Sequence, residues 1–289
     1  MNTDKDLVYR LLRLIPVSEL KLLVADSKGK NQLELIQEMQ VSHSLDEVKK
    51  ELVKQYGYLK QHVYTYKVSK AIKSDLIKKI LEEHFINVGQ KHFFFRKCTF
   101  TVKGIYEGSA KGKISNKLEV INIEFIQPCM VNIENGYLIV CFTILEKSIN
   151  SYIPDYRIFE TTIDFKEEDV LKDLESKLNG SISKADLNKG IKFLWERDII
   201  DSKYVTYKKT SSLSREIMDE ELTYKETYPT DYKEVIKAPL QKTTFRIKKN
   251  SSMFCDFVTI PSEGVVSFNK FPENLNQIEN VISEIIKKN

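Results

Sequence analysis

Residues 167–209 read EEDVLKDLESKLNGSISKADLNKGIKFLWERDIIDSKYVTYKK, and the fold is argued outward from them. Val170, Leu171, Leu174 and Leu178 recur at helical spacing with acids and lysines between them. Asn179 and Gly180 tolerate the left-handed backbone that ends a helix. Ser183 is a good N-cap for a second helix, and Asp186 follows three residues on in the manner of a capping box. Leu187, Ile191 and Leu194 form that helix's apolar stripe, with Trp195 at its edge, expected partly buried against the following strand. Lys184, Asn188, Lys189 and Lys192 lie off the stripe. Tyr204, Val205 and Tyr207 have strand character, with Lys203, Lys208 and Lys209 around them.

Helix, tight turn, helix and strand is the order of a winged helix-turn-helix. A second helix with a basic outer surface, followed by a basic strand, suits a major groove and its phosphates. On this reading Lys184, Lys189, Lys192, Lys203 and Lys208 contact phosphates. Asn188 is the one amide placed to pair with adenine in two places. The same shape also serves as a protein-docking hairpin whose lysines are only solvated.

The 289 residues suffice for two domains. With 42% hydrophobic and 30% charged residues, the chain is globular in composition. A net charge of +4 permits a nucleic-acid partner without demanding one. Cys98, Cys129, Cys141 and Cys255 form no CxxC pair and sit in apolar runs, so they read as reduced, buried thiols. His43, His62, His84 and His92 are scattered, and neither a metal site nor a cofactor is expected. Asp4 and Asp6 precede the first apolar run, and Arg10, Arg13 and Pro16 break it. This is neither a signal peptide nor a membrane span, and a cytoplasmic or nuclear protein is expected.

Residues 1–86 read as a helical domain, with Ser44 and Glu47 forming a capping box and Tyr56 to Tyr66 as a strand pair or helix edge. From Phe93 the apolar period changes to two, and 87–289 read as an α+β domain with an antiparallel sheet. Strands are expected at 92–106, 118–126, 130–133, 137–145 and 157–165, with a hairpin turn at Asn135-Gly136. These imply a curved sheet or small barrel. Residues 213–222 read as a short helix. A C-terminal segment of strands ends in a helix over 274–288.

At ELKLLVADSKGKNQLELIQEM, residues 19–39, the chain resembles a SAP motif, carried by Gly29-Lys30, Leu35-Ile36 and Met39. That resemblance implies a DNA-binding helical hairpin in which Lys28 and Lys30 face the nucleic acid. The stretch LLRLIPVSELKLL, residues 11–23, is similar to the start of the centromere protein N family. That family pairs an N-terminal helical domain with a β-rich domain and binds centromeric chromatin.

Catalytic constellations are missing. There is no GxSxG elbow, Gly112-Lys113-Ile114 opens a strand where a phosphate loop needs a helix, and Glu234-x-x-Lys237 has the wrong spacing for a nuclease. Two expectations follow: a non-enzymatic nucleic-acid-binding accessory protein, with DNA favoured, or a protein-protein interaction scaffold within a larger, chromatin-associated complex.

Overall fold

The structure is a computed structural model. It describes residues 2–24, 29, 31–70, 72–87, 92–107, 117–145, 149–153, 155–164, 166–208, 212–217, 222–247, 258–262 and 264–289. The fold is α+β with an antiparallel sheet, and the chain divides into two compact units. The first comprises Met1–Tyr56, Lys73–Cys129 and Thr143–Lys177; the second comprises Gly57–Ile72, Met130–Phe142 and Leu178–Asn289. Each unit draws on three separate stretches of the chain.

In the first unit four helices open the chain: α1 (Asp4–Leu12), α2 (Val17–Leu23), α3 (Gln32–Ser42) and α4 (Leu45–Lys54). Capping boxes at Thr3–Asp6 and Ser44–Glu47 start α1 and α4 by satisfying otherwise orphaned N–H groups. Leu11, Leu12, Leu35, Val48 and Leu52 bury the facing sides, each at most 1% exposed. Strand β3 (Phe93–Tyr106) pairs antiparallel with β2 (Ile86–Asn87) and with β6 (Tyr156–Ile163), and it neighbours β4 (Leu118–Glu134). The two strands expected at 118–126 and 130–133 are thus one. Helix α5 (Ser74–Glu82) packs on α6 (Glu167–Lys177). Phe100 and Phe125 meet edge-on at 4.8 Å in this core.

The second unit contains β1 (Gln61–Val68), within the stretch where the sequence left a strand pair or a helix edge open. Its partners are remote: Gln61 pairs with Phe268 on β12 (Val265–Phe268), and Val68 pairs with Ile182 on β7 (Ile182–Lys184). Its neighbour β5 (Tyr137–Thr143) follows the turn at Asn135 and Gly136, whose φ values of 51° and 79° suit a tight hairpin. The order then runs through β12 to β11 (Val258–Ser262), β10 (Leu240–Ile247), β8 (Ile200–Lys208) and β9 (Ser212–Glu216). Residues 212–216 are therefore a strand paired with β8, not the expected helix. On one face of this sheet Val205, Tyr207, Phe245, Val258 and Ile260 are buried. The helices of this unit are α7 (Asn188–Glu196), α8 (Tyr224–Thr227), α9 (Pro229–Val235) and α10 (Gln277–Lys288). α7 packs on α10 and on β8.

Candidate functional site

Residues 167–209 fold differently from a two-helix hairpin. α6 forms as expected, and Asn179 and Gly180 end it with positive φ. Residues 182–184 then leave as strand β7, because their backbone groups find partners on β1. Ser183 therefore sits in a strand and caps nothing. α7 begins five residues later than Ser183, at Asn188, and Asp186 prepares its first turn. The Asp186 carboxylate accepts from the Asn188 backbone N–H at 2.9 Å and from its side-chain amide at 2.5 Å. α6 packs within the first unit and α7 within the second, so a tight turn alone does not join them.

Asn188 is consumed by the fold. Its Oδ1 accepts the Leu240 N–H at 2.9 Å, tying α7 to the start of β10. With Oδ1 and one amide N–H engaged, the side chain cannot offer the paired contact that reading adenine requires. Lys192 donates to the Ala238 carbonyl at 2.6 Å, and burial lowers its pKa. Lys203 donates to the Leu222 carbonyl at 3.3 Å. Lys208 ends β8. Lys28, Lys30, Lys209 and Cys255 lie outside the described residues. Trp195 is 1% exposed and held edge-on by Tyr224 and Tyr232 at 5.3 Å each, more deeply buried than expected and against helices α8 and α9.

Lys184 and Lys189 are exposed and make no ion pair among the described residues. The same holds for Lys67 and Lys70 at the end of β1, near which β7 lies. Beside the start of α7 opens a groove of about 450 Å³, lined by Asp186, Asn188, Ile191, Leu240, Lys242 and Gly264 among others. Its volume is in the range of ligand clefts, roughly 300–1,000 Å³. Other lysines of both units are ion-paired, among them Lys225 with Asp198 and Lys287 with Glu284 in the second. Lys54, Lys97, Lys103 and Lys177 each lie within 3.0 Å of a carboxylate.

Formal charge differs between the units. The first unit has 24 Lys and Arg against 24 Asp and Glu, and the second has 21 against 17. The whole net charge of +4 thus belongs to the second unit.

Lys242 and Tyr204 escaped the sequence reading as site residues. On β8 and β10, Tyr204 and Thr206 face outward opposite Thr244 and Lys242. The period-two alternation of these residues with buried Val205 and Thr243 is the signal that could have found them.

Among the described residues no group of three or more His, Cys, Asp and Glu could hold a metal ion. None of their helices is long and apolar enough to cross a membrane. No family model, curated protein or solved structure matches the chain.

Proposed function

We propose that this chain is a non-enzymatic nucleic-acid-binding protein whose second unit contacts the phosphate backbone. The observation carrying this reading is a set of exposed lysines, Lys67, Lys70, Lys184 and Lys189, that make no ion pair among the described residues and lie in the unit that holds all the net charge. Exposed ammonium groups without carboxylate partners are free to replace the counterions of a polyanion. Lys184 and Lys189 are retained from the sequence reading, while Asn188 and Lys192 are assigned to the fold.

The test is a titration of the full chain with a labelled oligonucleotide between about 50 and 200 mM salt. Binding should weaken steeply with salt. The triple variant Lys67→Gln, Lys184→Gln, Lys189→Gln should bind less tightly, with a salt slope reduced by about one per lost contact. No binding at low salt, or an affinity indifferent to salt, overturns the proposal.

A second reading, a protein-interaction scaffold, draws on the first unit. Leu118, Val120 and Phe159, on β4 and β6, are 55%, 62% and 56% exposed. Exposed apolar residues mark a docking surface where they join into one contiguous patch. Binding to a protein partner that persists at high salt would favour it.

A further inference from the structure

On the outward face of β8, β9 and β10, Tyr204 and Thr206 lie centrally, Ser214 and Glu216 flank them on β9, and Lys242 and Thr244 flank them on β10. Thr206 donates to the Tyr204 hydroxyl at 3.1 Å, and the Tyr204 hydroxyl lies 3.4 Å from Ser214 Oγ. The Lys242 ammonium lies over the Tyr204 ring, 5.5 Å from its centre. Lys242 also lines the groove beside α7.

We infer that this face is a binding platform for single-stranded nucleic acid, with Tyr204 stacking an unpaired base and Lys242 neutralising the adjoining phosphate. The inference rests on the nucleic-acid reading above and names the strand state of the partner. An aromatic ring on a sheet takes any base by its π-face, which a duplex keeps stacked inside. Lys242 already shows that the ring attracts a cation from a flexible stem. A base can take its place on the ring while the ammonium turns to phosphate. Thr206, Ser214 and Thr244 supply hydroxyls that donate or accept along base edges. Glu216 is exposed directly across from Tyr204 and repels phosphate. The backbone therefore runs on the Lys242 side, with bases turned toward β9. Its hydrogen bonds with Ser214 and Thr206 hold the Tyr204 hydroxyl below its ordinary pKa, in keeping with a ring fixed by its neighbours.

The experiment is anisotropy titration of the full chain with labelled oligo(dT) and with a labelled hairpin duplex at low salt. Oligo(dT) should bind more tightly than the duplex. Tyr204→Leu should weaken oligo(dT) binding about tenfold and leave the duplex unaffected, whereas Tyr204→Phe should keep most of the affinity. Glu216→Gln should tighten it. A natively melting Tyr204→Leu protein that binds oligo(dT) like wild type overturns the platform. The broader reading survives that result if the Lys67, Lys184 and Lys189 variant still loses affinity, and both fall if nothing binds. Should Tyr204→Leu fail to fold, ultraviolet cross-linking of bromouracil-substituted oligonucleotide to the wild-type chain decides. Adducts on β8 or β10 peptides are expected, and adducts confined elsewhere overturn the inference.

Discussion

The backbone of Gly190 lies directly against the carbonyl of Ile285: a Cβ at Gly190 would stand 2.1 Å from that oxygen. Helices α7 and α10 thus meet at backbone distance, and only glycine permits it. Gly190→Ala should destabilise the protein by about 1–3 kcal/mol, despite alanine's better helix propensity. Urea unfolding measures this. Gly180→Ala is the comparison: it carries only the strain of φ +73° with open space around it, roughly 1 kcal/mol. Equal costs at the two sites would contradict the close packing.

Trp195 should emit as a buried indole and shift to the red on unfolding. Its Nε1 has no hydrogen-bond partner among the described residues. Trp195→Phe should therefore be tolerated, since it removes an unsatisfied donor along with some contact area. Trp195→Ala should cost about 3–5 kcal/mol through the cavity it leaves. Chemical denaturation of the two variants separates these outcomes.

Arg10 is 4% exposed and anchors α1 to β4. Its guanidinium donates to the Glu124 carbonyl at 2.6 Å and to Asn2 Oδ1 at 3.3 Å, and lies over the Phe125 ring at 5.4 Å. Arg10→Met keeps the aliphatic bulk and strips the carbonyl of its donor. A loss of about 2 kcal/mol in unfolding free energy is expected. An unchanged melting curve would show that the anchor contributes little.

Asp173 links α6 to α5. It receives hydrogen bonds from His84 at 2.8 Å and from Lys177 at 3.0 Å, and these hold its carboxyl below the ordinary range. A depressed folded pKa stabilises above the unfolded value and is lost as pH falls through the folded one. Stability should therefore decline below about pH 4 on this account. Lys177 is raised by its bonds to Glu83 and Asp173, so its share is present below the unfolded lysine pKa and fades in strong alkali. Thermal melts from acid to neutral pH should show a shallower acid limb in Asp173→Asn than in wild type.

Cys98, Cys129 and Cys141 are buried, and burial pushes the thiols of Cys98 and Cys141 up to about 12. At pH 8 the Cys98 and Cys141 thiols are protonated, and all three cysteines are shielded by burial, hence poor nucleophiles. Iodoacetamide should leave all three unmodified in the native protein and alkylate them in urea, as read by peptide mass spectrometry. Native labelling at Cys141 would mean that this part of the second unit opens readily.

Local signals carried well from sequence to structure. The Ser44–Glu47 capping box, the helix end at Asn179-Gly180 and the hairpin at Asn135-Gly136 each depend on neighbours within a few residues. Non-local pairings did not carry. Ser183 has every property of an N-cap, but β1 offers residues 182–184 a ladder from more than a hundred positions away. Asn188 and Lys192 look solvated on a helical wheel, yet Leu240 and Ala238 claim them through a turn about fifty residues on. Of the candidate site, the exposure of Lys189 was legible from the apolar stripe of α7, whereas Lys184 is exposed on strand β7, which that stripe does not describe. Tyr204 and Lys242 were not legible, since their juxtaposition exists only once β8 and β10 are in register.

The pairing of Gln61 with Phe268 sets a timetable for biosynthesis. β1 emerges from the ribosome about 200 residues before its β12 partner, so at about 5–20 residues per second that flank stays open for some 10–40 s. During that interval the nascent second unit exposes an unsatisfied strand edge, which other chains can pair with. Truncation before β12 would make that interval permanent, and premature termination products should accumulate as aggregates or chaperone clients.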